Sequence, residues 1–227
     1  MGVRENIRLV QSRIAAALER AGRSEDLVTL VTVTKIVAVA KIQEALEAGV
    51  THLGENRIQD AAPKIAALRN RTDINWHMIG HLQTNKVKLA VELFSLIHSV
   101  DSVRLAQEIA KRALQQNKVM DVLFEVNVSG ETSKYGLPIA EVVPVVREAA
   151  RFEGISVKGL MTMAPFVPDP EEVRPYFRKL RELLITLRES GVGQMEYLSM
   201  GMTNDFEVAI EEGANIVRVG TAIFEER

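Results

Sequence analysis

The chain has 227 residues, 47% hydrophobic and 26% charged, which is ordinary globular composition with ample material for a core. A formal net charge of -2 argues against a dedicated nucleic-acid surface, and the lack of cysteine excludes disulfides, thiolate metal sites and thiol nucleophiles. The charged N-terminus does not resemble a signal peptide, and no apolar run approaches the ~20 residues of a membrane span, so we expect a cytoplasmic protein without a membrane partner.

The N-terminal segment predicts an amphipathic helix over residues 3–21. Its apolar side chains recur at helical spacing and share one face, namely Ile7, Val10, Ile14, Ala17 and Leu18. Gly22 follows directly, and glycine commonly terminates a helix. This helix therefore precedes the repeating units of the rest of the chain.

After it, short apolar runs alternate with helical patterns. The eight strand candidates are residues 28–33, 51–54, 74–79, 96–100, 121–127, 155–161, 195–199 and 216–219. The helical patterns between them lie at about residues 38–48, 56–69, 84–93, 102–117, 138–152, 170–190 and 203–212.

This alternation predicts the fold class. Near-continuous apolar strands indicate a parallel sheet that is buried on both faces, and eight βα units can close a (β/α)8 barrel. The rival is an open doubly wound sheet, which normally has a glycine-rich first βα turn, whereas this turn reads "TKIVAVAK". We therefore predict a single-domain (β/α)8 TIM barrel over residues 1–227 with an extra N-terminal helix.

Lys35 ends the first strand candidate, at the edge where barrels build their active sites. It could instead be a solvated residue or form an ion pair with Glu55. In the dry mouth of a barrel, desolvation favours a neutral amine, which is a nucleophile toward aldehydes. The position makes Lys35 a candidate Schiff-base lysine.

Two strand ends resemble anion sites. The segments "SMGMTND" (199–205) and "VGTAIF" (219–224) combine small residues, which let backbone N–H groups approach a phosphate, with hydroxyl donors. Either segment alone is better explained by Ser199 and Thr203 capping a helix and Gly220 serving a turn. Both together, after the last two strands, favour a phosphate site and, with Lys35, a phosphorylated aldehyde.

Arg218 lies two residues before Gly220 and is expected on the same side of the last strand. That would bring its guanidinium to the barrel mouth. A buried ion pair with a strand-end carboxylate is an equally good interpretation. If Arg218 instead faces a pyridine nitrogen, that nitrogen stays unprotonated, and the ring is a weaker electron sink than one paired with Asp.

Seven segments in order carry a family resemblance: "VTVTK", "HLGENRIQ", "WHMIGHLQTNK", "SGETSKYG", "GLMTM", "LSMGMTND" and "VRVGTAIF". From about residue 28 to residue 224 the chain resembles the YggS/PROSC-type pyridoxal phosphate (PLP) homeostasis proteins. That family is similar in fold to the N-terminal barrel of bacterial alanine racemases. The resemblance implies PLP as cofactor.

The resemblance also implies roles for individual residues. Lys35 would hold PLP as an internal aldimine, Arg218 would face the pyridine nitrogen, and Asn56 would contact the cofactor. The phosphate ligands would be Ser199, Gly201, Gly220 and Thr221. Thr203 occupies a position where the motif allows Ser or Thr.

Other residues have less specific patterns. His77, on an apolar strand, is more often a core histidine, although the motif allows it to line the cofactor pocket. Met161 and Met163 are expected to pack in the core. Lys134, in a loop, is expected to be solvated, although the family motif leaves a second functional lysine open. Trp76 should point opposite His77 and pack between barrel and helices.

The remaining histidines, His52, His81 and His98, share no spacing that indicates a metal site, so no metal is expected.

The sequence leaves carrier and enzyme as alternatives. Related racemases take a second base, a tyrosine, from a separate domain, and this chain ends at Arg227. Tyr176 is predicted on a helix and Tyr197 within a strand, so only Tyr135 lies in a loop near the mouth. We assign no catalytic residue.

The first hypothesis is a PLP-binding homeostasis protein that exchanges PLP with other proteins or pools, PLP-dependent apo-enzymes among them. The second is a small PLP-dependent enzyme, racemase-like or lyase-like, with an unassigned substrate. The third is a Schiff-base aldolase barrel without a cofactor.

Overall fold

The structure is a computed structural model that describes residues 2–24 and 27–225. Its first element is helix α1, Val3–Arg20, followed by Gly22 at φ +66°. All five residues of the predicted apolar face are buried, because this face packs against helices of the barrel. The predicted N-terminal helix is confirmed. Within the described residues, none of the helices is both long and apolar enough to cross a membrane.

Nine strands form one continuous sheet, and all eight predicted strands are among them. They are β1 (Thr29–Val33), β2 (His52–Glu55), β3 (Asn75–Met78), β4 (Leu96–Val100), β5 (Met120–Asn127), β6 (Leu137–Pro138), β7 (Ile155–Met161), β8 (Tyr197–Ser199) and β9 (Ile216–Val219). The unpredicted β6 has two residues, too few for any periodic pattern.

The sheet closes into a barrel of eight parallel strands. Its order is β4-β3-β2-β1-β9-β8-β7-β5-β6, and pairing of β4 with β5 completes the circle. The short β6 lies beside β5, outside the circle of eight. The predicted (β/α)8 barrel is confirmed, and all polar strand ends therefore face one rim.

Helices follow the strands as predicted, with two differences at the C-terminal end. They are α2 (Val39–Glu47), α3 (Ile58–Ala67), α4 (Val87–Leu93), α5 (Val103–Leu114), α6 (Ile139–Ala149), α7 (Arg174–Glu189), α8 (Phe206–Glu211) and α9 (Thr221–Phe224). Helix α8 begins later than predicted because the Asp205 carboxylate accepts a hydrogen bond from Met202 N (2.6 Å) and holds 202–205 as a loop. Helix α9, only four residues long, was not predicted.

The core has two layers. A large cluster fills the space between strands and helices and includes Trp76, as predicted. A small cluster inside the barrel consists of Val31, Leu96, Leu123, Met161 and Ile216. Much of the remaining barrel interior is therefore open to polar side chains, and these form the site.

Candidate functional site

Lys35 lies beyond the end of β1, at the tip of a tight turn. Val37 N donates to Thr34 O (3.0 Å), and Ile36 adopts φ +57°. A β-branched residue rarely adopts this left-handed conformation, which costs roughly 1–2 kcal/mol. The turn lifts Lys35 to the surface, so its side chain is exposed. The expected desolvated lysine in a dry mouth is wrong for this structure, because strand pairing stops before Lys35 and the turn follows at once.

A buried polar cluster anchors this turn from behind. Lys64 Nζ, on α3, donates to Glu55 Oε1 (2.7 Å) and to Thr34 O (2.6 Å). Thr34 Oγ1 also donates to Glu55 Oε1 (2.6 Å). Glu55 is completely buried, and its ion pair is with Lys64, so the alternative of a Lys35–Glu55 ion pair is wrong. The residue next to Lys35 is thereby tied to β2 and α3.

Arg218 is buried inside the barrel mouth, 4% exposed. Its Nη1 donates to Ser199 Oγ (2.6 Å) and its Nη2 to Thr162 O (2.8 Å). No salt bridge within 4.0 Å joins it to a carboxylate of the described residues, so the alternative of a buried ion pair is not found. Burial lowers the pKa of Arg218 to about 10, which still leaves the guanidinium charged at neutral pH.

One open cavity of about 380 Å³ joins Lys35 to Arg218. Gly220, Thr221 and Thr203 also line it, together with an apolar wall that includes Phe166 and Val173. Among the described residues, the backbone N–H groups of Thr203, Asn204 and Thr221 make no hydrogen bond. The cavity therefore has an amine and a guanidinium, with hydroxyls and free amides beside them.

Three predicted contact residues lie outside this lining. Ser199 points into the barrel beneath Arg218, and its hydroxyl is fully buried. Gly201 has φ +95°, and a Cβ there would lie 2.8 Å from Cα of Phe206, so its glycine serves close packing against α8. Asn56 lines a different cavity. Their direct contacts with a cofactor stay predictions.

Sequence spacing gave no signal for the chain of hydrogen bonds that fills the barrel interior. His52 Nδ1 lies 2.9 Å from His77 Nε2, and His77 Nδ1 lies 2.9 Å from His98 Nε2. His98 Nδ1 in turn lies 2.9 Å from Ser199 Oγ, which contacts Arg218. His77 is thus a core histidine with both nitrogens satisfied. Within the described residues, no group of three or more His, Asp or Glu side chains could hold a metal ion.

Burial keeps these histidines neutral. It lowers the pKa of His77 to about 3, with a smaller contribution from His52. It also places the pKa of His98 well below the ordinary value, where His77 and Arg218 lower it further, and lowers the pKa of His52. Glu125, on β5, shows the opposite shift: burial raises its pKa to about 7, although the charge of Arg218 opposes this.

These shifts predict that the protein loses stability in acid. The unfolded chain binds a proton at His77 below pH 6.5 and the folded protein only near pH 3, so stability falls across this window, by about 1.4 kcal/mol per pH unit. His52 and His98 also reduce the stability of the fold in acid, because their pKa values are lowered as well. Glu125 has the opposite effect: its raised pKa makes the folded protein more stable as the pH falls from 7 to 4.5. Urea unfolding at pH 7.5 and 5.0 should show the loss. His77→Gln should reduce it and Glu125→Gln should increase it; a pH-independent wild type would contradict this account.

A second cavity, of about 520 Å³, includes Asn56, His81 and Tyr135 in its lining. Tyr135 stacks on His81 at 4.0 Å between ring centroids and lines this cavity, not that of Lys35.

Lys134 pairs with Glu131 (2.8 Å) and its Nζ is buried, so the expectation that it is solvated is wrong. Met161 packs inside the barrel as expected, but Met163 is 37% exposed, because it lies beyond the end of β7.

Comparison with known proteins identifies the family. Residues 4–227 match the family model for the alanine racemase N-terminal domain. A relative from Aquifex aeolicus that is named pyridoxal phosphate homeostasis protein is 47% identical over 227 residues, which cover 100% of this chain and 99% of the relative. The chain belongs to this family, and within it to the pyridoxal phosphate homeostasis proteins. The resemblance seen in the seven sequence segments is confirmed.

Solved structures agree with this family and with the barrel. PipY of Synechococcus elongatus, whose structure has PLP bound, is 31% identical to this chain, with a TM-score of 0.87. The match covers 98% of this chain and 100% of PipY. An alanine racemase from Clostridium difficile is 18% identical with a TM-score of 0.74, covering 98% of this chain and 57% of the racemase. That second likeness supports the shared fold alone.

Proposed function

We propose that this protein binds PLP in the cavity between Lys35 and Arg218, holds it through the Lys35 amine and serves PLP homeostasis. The observation that carries the proposal is that one cavity of about 380 Å³ brings together an amine, a guanidinium, and a cradle of hydroxyls and free amides. Its volume lies within the ordinary range for small-molecule sites. The PLP-bound structure of PipY, at 31% identity, supports the same ligand.

Arg218 suits the ring end of PLP. Its Nη1 and Nη2 already donate hydrogen bonds, and among the described residues its Nε donates none. A charged donor at this place would face the pyridine nitrogen as an acceptor and keep it unprotonated. Such a ring withdraws electrons weakly, which supports holding the cofactor over fast carbanion chemistry.

Another part of the cavity lining suits a phosphate. Thr203 and Thr221 offer hydroxyls, and the amides of Thr203, Asn204 and Thr221 have no acceptor among the described residues. Gly220 backs onto β1, where an added Cβ would lie 3.0 Å from Val33 O. Amide and hydroxyl donors around a small-residue loop are the usual means of holding a phosphate.

Lys35 would supply the covalent link to PLP. Its amine would form a carbon–nitrogen double bond to the aldehyde carbon of the cofactor, and the aldehyde oxygen would leave as water with the two amine hydrogens. The exposure of Lys35 and the open cavity support exchange of PLP with other proteins, including PLP-dependent apo-enzymes. Tyr135, the one tyrosine that lies in a loop of the described residues, lines a separate cavity, which weighs against a racemase.

The phosphate assignment predicts a preference for PLP over pyridoxal, which lacks the phosphate. Titration followed by visible absorbance should show that PLP binds at least tenfold more tightly. Thr203→Val and Thr221→Val should each reduce the preference about tenfold, since a hydrogen bond to a charged group is worth about 1.5–3 kcal/mol. Thr186→Val is the matched control, because its hydroxyl bonds Glu182 O on the exposed face of α7.

Protein that stays colourless with added PLP would overturn the proposal. Equal affinity for PLP and pyridoxal would overturn the phosphate cradle alone. Turnover of D- or L-amino acids by the PLP-loaded protein at ordinary enzyme rates would favour the racemase-like alternative.

A further inference from the structure

We propose that His98, His77 and His52 act together as a positioning chain that holds the Ser199 hydroxyl in one orientation and so fixes Arg218 at the cavity. None of these three histidines lines the cavity of Lys35 and Arg218, so they are distinct from the residues assigned to PLP binding. The inference deepens the proposed function, because Arg218 is assigned to PLP there. The first test of the positioning chain uses the protein without ligand, so the positioning chain and the proposed PLP binding can fail independently.

The orientation of Ser199 follows from counting donors. Arg218 can only donate, so Ser199 Oγ accepts its hydrogen bond at 2.6 Å. Among the described residues, the one other partner of Ser199 Oγ is His98 Nδ1, at 2.9 Å. If His98 Nδ1 donated instead, the buried hydroxyl proton of Ser199 would have no acceptor among the described residues. The arrangement that satisfies every donor sends the hydroxyl proton to His98 Nδ1, which is then unprotonated.

That assignment determines the two remaining rings. A neutral His98 with an unprotonated Nδ1 carries its proton on Nε2 and donates it to His77 Nδ1. His77 then donates from Nε2 to His52 Nδ1. All three rings have the same tautomer, and each bond points from Arg218 toward His52. Burial, which lowers the pKa of each ring, supports the neutral state that this order requires.

The positioning chain of hydrogen-bonded histidines links the two ends of the barrel. His52 and His77 line a small cavity of about 140 Å³ with Thr29, Asn75 and Asp121, which stand at or near the starts of their strands. His52 is half-buried there, whereas His98 is completely buried. A change at the lower end should therefore alter Arg218 at the upper end.

The first experiment measures the tautomers directly. Nitrogen-15 NMR of the ligand-free protein between pH 6 and 8 should show three neutral imidazoles with the proton on Nε2. His81, which stacks on Tyr135 outside the chain, is assigned by its loss in His81→Gln. A proton on Nδ1 in any of the three rings, or a charged ring among them, would overturn the proposal.

The second experiment tests action at a distance. In ligand-free protein, His98→Leu and His77→Leu should speed hydrogen exchange of the Arg218 guanidinium about tenfold. In PLP titrations, the same variants should weaken PLP binding about tenfold. Each change is the equivalent of one buried hydrogen bond. Leu96→Ala is the control, since Leu96 lies in the barrel interior without a polar group. It should change neither readout.

His98→Gln should restore part of both effects, because its amide can accept from Ser199 and donate to His77. If His77→Leu leaves Arg218 exchange unchanged, or changes it no more than Leu96→Ala does, the chain does not position Arg218. If the exchange results hold but PLP does not bind, the proposed function fails while the positioning chain stands. If a leucine variant does not fold, the tautomer measurement decides.

Discussion

Replacing Lys35 with alanine is expected to abolish the visible absorbance that the protein gains with PLP. Among the described residues that line the cavity, the Lys35 amine is the one primary amine that can form a Schiff base with the aldehyde. Without it, PLP would be held by Arg218 and the phosphate cradle alone, and affinity should fall by about two orders of magnitude, or ~2.7 kcal/mol. The measurement is an absorbance titration with PLP.

Lys179→Ala is the matched control. Lys179 is also an exposed lysine, and it lies on α7, outside both cavities that Lys35 lines. It should leave both the absorbance and the affinity unchanged. Borohydride reduction followed by mass spectrometry should place the pyridoxyl group on Lys35 in the wild type. A label on another lysine, or an unchanged band in Lys35→Ala, would contradict the assignment.

Lys64→Met is expected to destabilise the protein by about 3–5 kcal/mol. It removes the ammonium that pairs with the completely buried Glu55, whose Oε2 already has no partner among the described residues. Because Lys64 also donates to Thr34 O, the turn that carries Lys35 should loosen as well. Urea unfolding at pH 7.5 gives the stability, and hydrogen exchange in residues 34–37 reports the turn.

Two further variants test whether the loss of stability in Lys64→Met comes from the buried pair with Glu55. Lys41→Met removes the same charge from an exposed pair and should cost less than about 1 kcal/mol. Lys64→Met with Glu55→Gln should recover part of the loss, since a neutral amide is less costly to bury than an unpaired carboxylate. A cost for Lys64→Met equal to that for Lys41→Met would mean that the buried Lys64–Glu55 pair contributes no more to stability than an exposed pair does.

Local patterns were sufficient to predict the barrel. Strand and helix periodicity depend on near neighbours in the chain, so all eight barrel strands and α1 were predicted within a few residues. The same reasoning missed β6 and α9, which have two and four residues, because so short an element has no period. It also placed Lys35 on the strand itself, since nothing in "VTKIVAV" shows that Ile36 adopts a positive φ.

Part of the candidate site was also predictable from local patterns. The alternation of side chains along a strand predicted Arg218 on the same side as Gly220, and the parallel βα order predicted both at the rim with Lys35. In the structure all three residues line one cavity. Only the tertiary structure decided that Ser199 points inward to Arg218 and that His52, His77 and His98 meet in one chain. These three histidines lie on three different strands, at separations of 25 and 21 residues. Their contact depends on the register of the neighbouring strands β2, β3 and β4, and the contact of His98 with Ser199 on β8 depends on barrel closure. No local sequence pattern encodes either.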